Sequence, residues 1–434
     1  MPDILSPLER RSFIKILGAT GALAASTTEA APNADTLNIG VIGLGSRGSG
    51  AVFDALRADP NTKLTAVAEL FPDRLSRGLQ HMKNQVKDKP ELAARIDVPE
   101  EAQFSGEQAY EELLKEDVDL VILTTPPFFR PLHAEAAINA GKHVFAEKPL
   151  ATDAVGLRRI EAACKKAQES SLSFLTGFCY RYHGAMKATY QEVENGAIGD
   201  VLGFQGTYNS QGAWHRGNDP KWSAREYQLR NWYYFTWLSG DQLVEQAIHT
   251  VDKMSWAMGD KPPLSCVAVG GRQSRTDEKF GNVFDHVHVT YEYPNHIFGD
   301  VMCRQQRGAT PGVRDIITGS KGNASLMNQV IRGEKTWRYN KRQNPFPSMY
   351  IAEHQHLFQN IRKGTPHNDN AASILSCGLG IMGRMAAYTG RKIHWDHATE
   401  PSLMQSKLDL TPNETEMPND KPRPVPRPGI TPWV

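Results

Sequence analysis

Two groups of residues in this sequence have the types and spacing that chemistry needs. Lys148 stands in Glu147-Lys148-Pro149, directly after the apolar run His143–Ala146. The proline pushes Lys148 away from helical geometry and stiffens the turn. A lysine held at the end of a sheet strand can meet a substrate oxygen, polarise it, or help shuttle a proton. A lysine taken at random is an ordinary surface charge. The second group is Glu245, His249 and Asp252, at spacings of four and three. On one continuous helix they share a face. A carboxylate beside an imidazole raises its pKa and orients its tautomer, which suits a base near neutral pH. A solvated i,i+4 ion pair is the competing reading. Glu-x-x-x-His is also half of a metal site, but neither His286/His288 nor His354/His356 has strong ligand spacing, so no metal is expected.

A third group is aromatic. Residues 209–237 hold Trp214, Trp222, Tyr227, Trp232, Tyr233, Tyr234, Phe235 and Trp237, with His215, Arg216, Arg225 and Arg230 among them. Rings with polar handles stack on sugar faces, and the neighbouring cations bind hydroxyls or acids. A buried aromatic core or a subunit contact explains most of these rings equally well.

The element that must position these groups begins at residue 37. The sequence LNIGVIGLGSRGSG runs from an alternating apolar strand into Gly43, Gly45 and Gly48, and an amphipathic helix follows. Strand, glycine turn and helix in that order are the context in which G-x-G-x-x-G marks a dinucleotide site. The first glycine permits the turn, the second admits the pyrophosphate and the third lets helix pack on strand. The helix N-terminus then faces the phosphates. A second strand ends in Glu69, placed to meet the ribose 2′-hydroxyl and to repel a 2′-phosphate. NAD is therefore expected over NADP, although Arg47 beside the phosphates keeps NADP as a minority reading. Alternating strand and helix patterns continue to residue 177 and predict a parallel, doubly wound sheet. Its strand ends carry Thr125, Pro126, Pro127 and Lys148 to the cofactor.

From residue 200 the texture changes to long alternating runs, read as antiparallel strands of a second α+β domain, interrupted by a helix over residues 241–258. Two late helices follow, and residues 411–434 are Pro-rich without periodicity, read as an arm over a surface or as disorder. With 434 residues, 49 Lys+Arg and 48 Asp+Glu, the chain suggests two domains and points to neither nucleic acid nor an anionic membrane. No apolar run is long enough to cross a bilayer, so no membrane is expected for the mature form. Five cysteines are dispersed without metal or disulfide spacing and read as buried thiols. At the N-terminus, Arg10-Arg11 followed by Ser12-Phe13-Ile14-Lys15, a mildly apolar stretch and small residues resembles a twin-arginine (Tat) signal. It predicts the Tat machinery as a partner and a periplasmic or otherwise exported protein.

GLGSRG, Glu69, TTPP, AEKPLA, GFCYRYH and the Glu245/His249 segment occur in this order, and GRKIHWD closes the series at residue 396. Together they resemble the Gfo/Idh/MocA family, which includes glucose–fructose oxidoreductase and inositol dehydrogenase. The resemblance implies a Rossmann doubly wound sheet and a C-terminal α+β domain with a large, mostly antiparallel open sheet. The expected division is 1–35 for signal and linker, 36–178 for the NAD-binding domain, 179–396 for the substrate and oligomerisation domain, and 397–434 for the arm. It also implies a sugar, glycoside or cyclitol substrate and a hydride passing to nicotinamide C4, with His249 as base. Lys148 would bind the reacting oxygen. Glu245 stands where the family has an aspartate and would orient His249. The expected cofactor contacts are Gly43, Gly45, Ser46, Arg47, Gly48, Glu69, Thr125, Pro126, Pro127, His133, Glu147 and Lys148. Tyr180, Arg181, Trp214, His215, Tyr233 and Trp237 are the expected substrate contacts. An open sheet suggests a homodimer or homotetramer. Export adds one argument: no free NAD pool exists outside the cytosol, so a tightly retained cofactor and a hydride returned within each cycle become attractive. Glycoside hydrolysis with catalytic NAD is the alternative activity, and a non-catalytic sugar-binding relative a third.

Overall fold

The computed structural model describes residues 35–399 apart from Asp369, and residues 423–431. The proposed signal therefore lies outside the described residues, as does most of the Pro-rich arm.

Six strands form a parallel sheet: β1 (Leu37–Ile42), β2 (Thr62–Glu69), β3 (Gln103–Ser105), β4 (Leu120–Leu123), β5 (His143–Ala146) and β6 (Phe174–Thr176), in the order β3-β2-β1-β4-β5-β6. The order reverses beside β1, so the crevice where ligands bind opens at the carboxyl end of β1 and β4. Helices α1 (Ser46–Ala58), α2 (Pro72–Val86), α3 (Ala109–Lys115), α4 (Arg130–Asn139) and α5 (Ala154–Glu169) connect the strands. β4 is buried at every position because both sheet faces are covered, which is why it reads as the unbroken apolar run LVIL.

After α6 (Gly184–Glu194) comes a nine-stranded sheet. Its strands are β7 (Val201–Ser210), β8 (Ser265–Gly271), β9 (His286–Tyr293), β10 (Ile297–Gln305), β11 (Gly312–Gly319), β12 (Gly322–Ser325), β13 (Val330–Gly333), β14 (Trp337–Arg338) and β15 (Ile393–His394). All its pairings are antiparallel except one: β10 runs parallel to β7, with Val301 opposite Gly206. Local alternation cannot distinguish the two senses, because both bury every second residue. The inward residues of β9 and β10 are buried, while Val267, Val269, Phe298 and Met302 stand exposed on strands of the same sheet.

Between β7 and β8 lie α7 (Ala224–Arg230), α8 (Gln242–Glu245) and α9 (Ile248–Ala257). The expected single helix over 241–258 is two, broken at Gln246 and Ala247. Asp241 sits at φ 83° and caps α8 by accepting from the Leu243 N–H. Two long helices complete the fold, α10 (Met349–Arg362) and α11 (Ala371–Thr389). α10 packs on α1, and Arg362 pairs with Asp59 at 2.7 Å. α11 is buried at fifteen of the seventeen positions from Ser373 to Thr389, which matches its apolar composition. Of the arm, residues 423–431 lie against the end of α11, where the Gly429 N–H donates to the Thr389 carbonyl at 2.8 Å. All five cysteines are buried and unbridged.

Candidate functional site

The glycine turn is built for close approach. Gly43 has φ 96°, and a Cβ at Gly48 would stand 2.1 Å from the Gly43 carbonyl oxygen, so the third glycine is required by packing of α1 against the turn. Gly45 is different: a Cβ there meets nothing within 4 Å. It caps α1 without a side-chain hydrogen bond, which leaves the first-turn N–H groups free for an anion. These features fit a dinucleotide. Glu69 ends β2 nearly buried; its Oε2 accepts from the Leu44 N–H at 2.8 Å and its Oε1 from the Phe71 N–H at 3.3 Å. The carboxylate is thus fixed at the rim of the glycine turn.

A groove of about 610 Å³ runs along this edge, a size suited to a cofactor. Gly43, Gly45, Glu69, Thr125, Pro126 and His133 line it, whereas Ser46, Arg47, Gly48, Pro127, Glu147 and Lys148 do not. His133 accepts or donates at Thr125 Oγ1 (3.1 Å), and burial, with the Arg130 charge second, lowers its pKa to about 3. Phe71, Tyr110, Phe128 and Phe129 also line the groove. Sequence reasoning missed them, although Phe71 follows Glu69 by two residues and Phe128 follows the strand-end prolines directly.

Arg47 stands beside the glycine turn tied to carboxylates. Its Nε lies 2.5 Å from Glu147 Oε1 and its Nη1 3.3 Å from Asp54, with the guanidinium 5.0 Å from the Tyr350 ring centroid. Although burial disfavours its charge, Glu147 and Asp54 hold its pKa above the usual arginine value. Two of its donors are thus taken by carboxylates, while its Nη2 has no hydrogen-bond partner among the described residues.

Lys148 precedes Pro149 across a cis peptide bond at the end of β5. Its Nζ donates to the Glu245 backbone carbonyl at 2.6 Å and meets Glu245 Oε1 at 3.3 Å. Two elements remote in sequence, β5 and α8, thereby meet at one ammonium group. His249 lies in the first turn of α9, edge-on to Tyr180 (ring centroids 5.4 Å) and Phe178 (6.4 Å). Its Nδ1 is buried with no hydrogen-bond partner among the described residues.

The expected Glu245–His249–Asp252 face does not form. The break at Gln246–Ala247 separates Glu245 from α9, and its carboxylate serves Lys148 instead. Asp252 accepts from Arg181 at 2.8 Å and from Ser376 at 2.9 Å. With no carboxylate at the imidazole, the pKa moves opposite to expectation: burial pushes His249 well below the ordinary histidine value, and the Lys148, Lys253 and Arg47 charges add to that. A helix N-terminus acts in the same direction. The shift favours the neutral imidazole.

The proposed substrate contacts separate into two sets. Tyr180 is half-buried beside His249, its ring centroid 4.4 Å from Lys253 Nζ, and Lys253 is itself fully buried in an ion pair with Asp315. Trp214 is exposed, and His215 Nε2 meets Tyr227 Oη at 3.1 Å. The others are committed elsewhere. Arg181 is bound by Asp252 and by both Asp260 oxygens (2.7 and 2.9 Å). Tyr233 is buried with its hydroxyl 3.0 Å from Gln246 Oε1, and Trp237 is buried with its indole N–H on Gln228 at 2.9 Å. For these two the buried-core reading holds.

One buried group near the site makes a stability prediction. His354 is fully buried on α10, its ring 4.1 Å from that of Phe145, and neither nitrogen has a partner among the described residues. Burial, with the Arg47 charge second, lowers its pKa from 6.5 to about 3. Below pH 6.5 the unfolded chain takes up a proton that the folded one refuses, so this histidine's contribution is lost as pH falls from 6.5 towards 3. Relative to His354→Phe, the wild type should lose about 2 kcal/mol between pH 6.5 and about pH 5. Urea unfolding of both proteins at the two pH values measures it; parallel pH profiles would show that the histidine is not buried as a neutral ring.

Residues 37–174 match the family described as "Oxidoreductase family, NAD-binding Rossmann fold" (GFO_IDH_MocA), and residues 186–325 match the "GFO/IDH/MocA C-terminal domain". The chain belongs to the GFO/IDH/MocA family. Its NAD-binding Rossmann fold agrees with the glycine turn and Glu69. Among curated relatives, it is 29% identical over 179 residues to a dTDP-3,4-didehydro-2,6-dideoxy-alpha-D-glucose 3-reductase from Actinomadura kijaniata, covering 41% of this chain and 46% of that one. It is 29% identical over 233 residues to a glycosyl hydrolase family 109 protein from Shewanella pealeana, covering 48% and 47%. The chain thus spans about half the length of the curated relatives it matches. In fold it resembles a levoglucosan dehydrogenase solved with NADH and levoglucosan, with TM-score 0.64, 19% identity, and 83% of this chain and 99% of that one covered.

Proposed function

We propose that this protein is an exported NAD-dependent oxidoreductase that acts on a hydroxyl of a sugar, glycoside or cyclitol. The observation that carries the reading is the Lys148 ammonium, held on Glu245 and close enough to His249 to lower its pKa, in a family whose N-terminal domain binds NAD. Gly43, Gly45 and Glu69 would hold the dinucleotide, which when bound supplies the hydride acceptor. Lys148 binds the substrate oxygen and stabilises its developing negative charge. Glu245 keeps the Lys148 ammonium in place through its carbonyl and its carboxylate. His249, already neutral, takes the hydroxyl proton. The cations that keep it neutral also favour the alkoxide, so the proton leaves an oxygen whose own acidity they have raised. Tyr180 offers an aromatic wall beside the imidazole. The Tat-like N-terminus supports export, and the exposed Val267, Val269, Phe298 and Met302 support a homo-oligomer through the open sheet.

A second reading is favoured by the 233-residue similarity to a glycosyl hydrolase family 109 protein: glycoside cleavage with no net change in the cofactor, which would then be tightly retained. One experiment separates the two. Purified protein is denatured and analysed for released NAD(H), then assayed on a sugar and glycoside panel with and without added NAD. Stoichiometric NADH from free NAD supports net oxidation. Product without net NADH supports the hydrolase reading. Turnover of neither kind across the panel, with no cofactor bound, would sink both.

A further inference from the structure

The dinucleotide groove is not finished by the Rossmann half. Arg225, Leu229 and Trp232, from the connection between β7 and α8, also line it. We infer that residues 213–235 are a strap across the cofactor, clasped by Arg230 on Asp73, and that this clasp sets how long the cofactor stays bound.

The clasp lies where a retaining contact would have to be. Asp73 is in the first turn of α2, four residues past Glu69. Arg230 reaches both of its oxygens (2.9 and 3.3 Å), takes Glu226 at 2.7 Å, and lies 3.9 Å over the Phe71 ring. Only 12% of the Arg230 side chain is exposed. A two-pronged, stacked and largely dehydrated guanidinium is the strong form of such a contact. Further along, Arg225 meets Glu107 at 2.9 Å, beyond the end of β3. This pair is more exposed and weaker. Apolar packing joins the same two sides: Leu229, Tyr233, Tyr234 and Trp237 cluster with Leu70, Phe71, Phe128 and Phe129, and Phe128 meets Trp237 edge-on at 5.0 Å. The strap is thus tied to residues that follow β2, β3 and β4. A dinucleotide lying beneath it cannot leave by tilting at one end; the ties must open first.

The inference rests on the reading that this groove takes NAD, and it adds that release is gated by residues outside the Rossmann half. The test uses the full chain loaded with NADH and mixed with excess NAD, following the decay of bound-NADH fluorescence. Arg230→Ala should release NADH at least about tenfold faster than wild type, as expected for loss of a two-pronged, charge-assisted contact. Asp73→Asn, on an exposed helix turn where folding is not at risk, should give a smaller acceleration in the same direction. The double variant should be no faster than Arg230→Ala alone, because both changes open one clasp. Release rates within twofold of wild type in both single variants would overturn the strap. Rapid release by the wild type, with the variants faster still, would keep the strap but remove the retained-cofactor reading. Failure to load any NADH would instead remove the NAD reading on which the inference rests.

Discussion

Replacing Lys148 by Met should lower kcat by about 10²–10³-fold while bound cofactor is kept. The magnitude is that of removing one preorganised donor from a developing oxyanion. The structure makes the change specific. Lys148 is only 13% exposed and does not line the cofactor groove, so its loss takes a charge from the substrate oxygen and leaves the groove intact. Methionine keeps the stem length and leaves the Glu245 carboxylate without its cation, so a Glu245→Gln/Lys148→Met double variant controls for that unpaired charge. Single-turnover rates of hydride transfer, with cofactor content measured on the same preparation, give the answer. Wild-type turnover in Lys148→Met would remove the lysine from the chemistry.

The second large effect belongs to His249. His249→Ala should cost about 10²–10⁴-fold, the usual contribution of a positioned base. Its pH signature follows from the direction of its shift. A base works in its unprotonated form, and burial with three nearby cations keeps this imidazole unprotonated to well below the ordinary histidine value. The acid limb of kcat/KM should therefore lie clearly below pH 6.5, leaving the rate flat across the neutral range. Had Glu245 been paired with His249, as the spacing suggests, that limb would lie at or above the ordinary value. A limb near pH 7 that disappears in His249→Ala would contradict the half-buried, carboxylate-free imidazole.

These two residues also show where reading the sequence stops. The glycine turn was legible because its requirements are local: a strand, φ 96° at Gly43, and a third glycine pressed on the turn carbonyl all follow within a few residues. Glu69 and the strand-end positions of Thr125 and Pro126 were legible for a related reason, since parallel strands deliver their carboxyl ends to one crevice. The Glu245–His249 relation failed because i,i+4 reasoning assumes an unbroken helix. Asp241 at φ 83°, tied to the Phe284 N–H and to Tyr388, and the Gln305–Gln246–Tyr233 network hold the chain in two short helices. Those partners lie tens of residues away, and no local pattern announces them.

Arg47 and Arg230 make the same contrast. Both looked like free cations near a ligand. Arg47 pairs with Glu147, a hundred positions away, and Arg230 with Asp73, across 157. By itself the sequence determined the Rossmann half, the preference for NAD and the strand end that carries Lys148, because each depends on backbone geometry or periodicity within a short stretch. Tertiary structure alone decided which charge meets which: that Glu245 serves the lysine, that cations rather than a carboxylate act on His249, and that a connection from the second half lines the cofactor groove. Electrostatics depends on distance through space and on burial, and neither is encoded in separation along the chain.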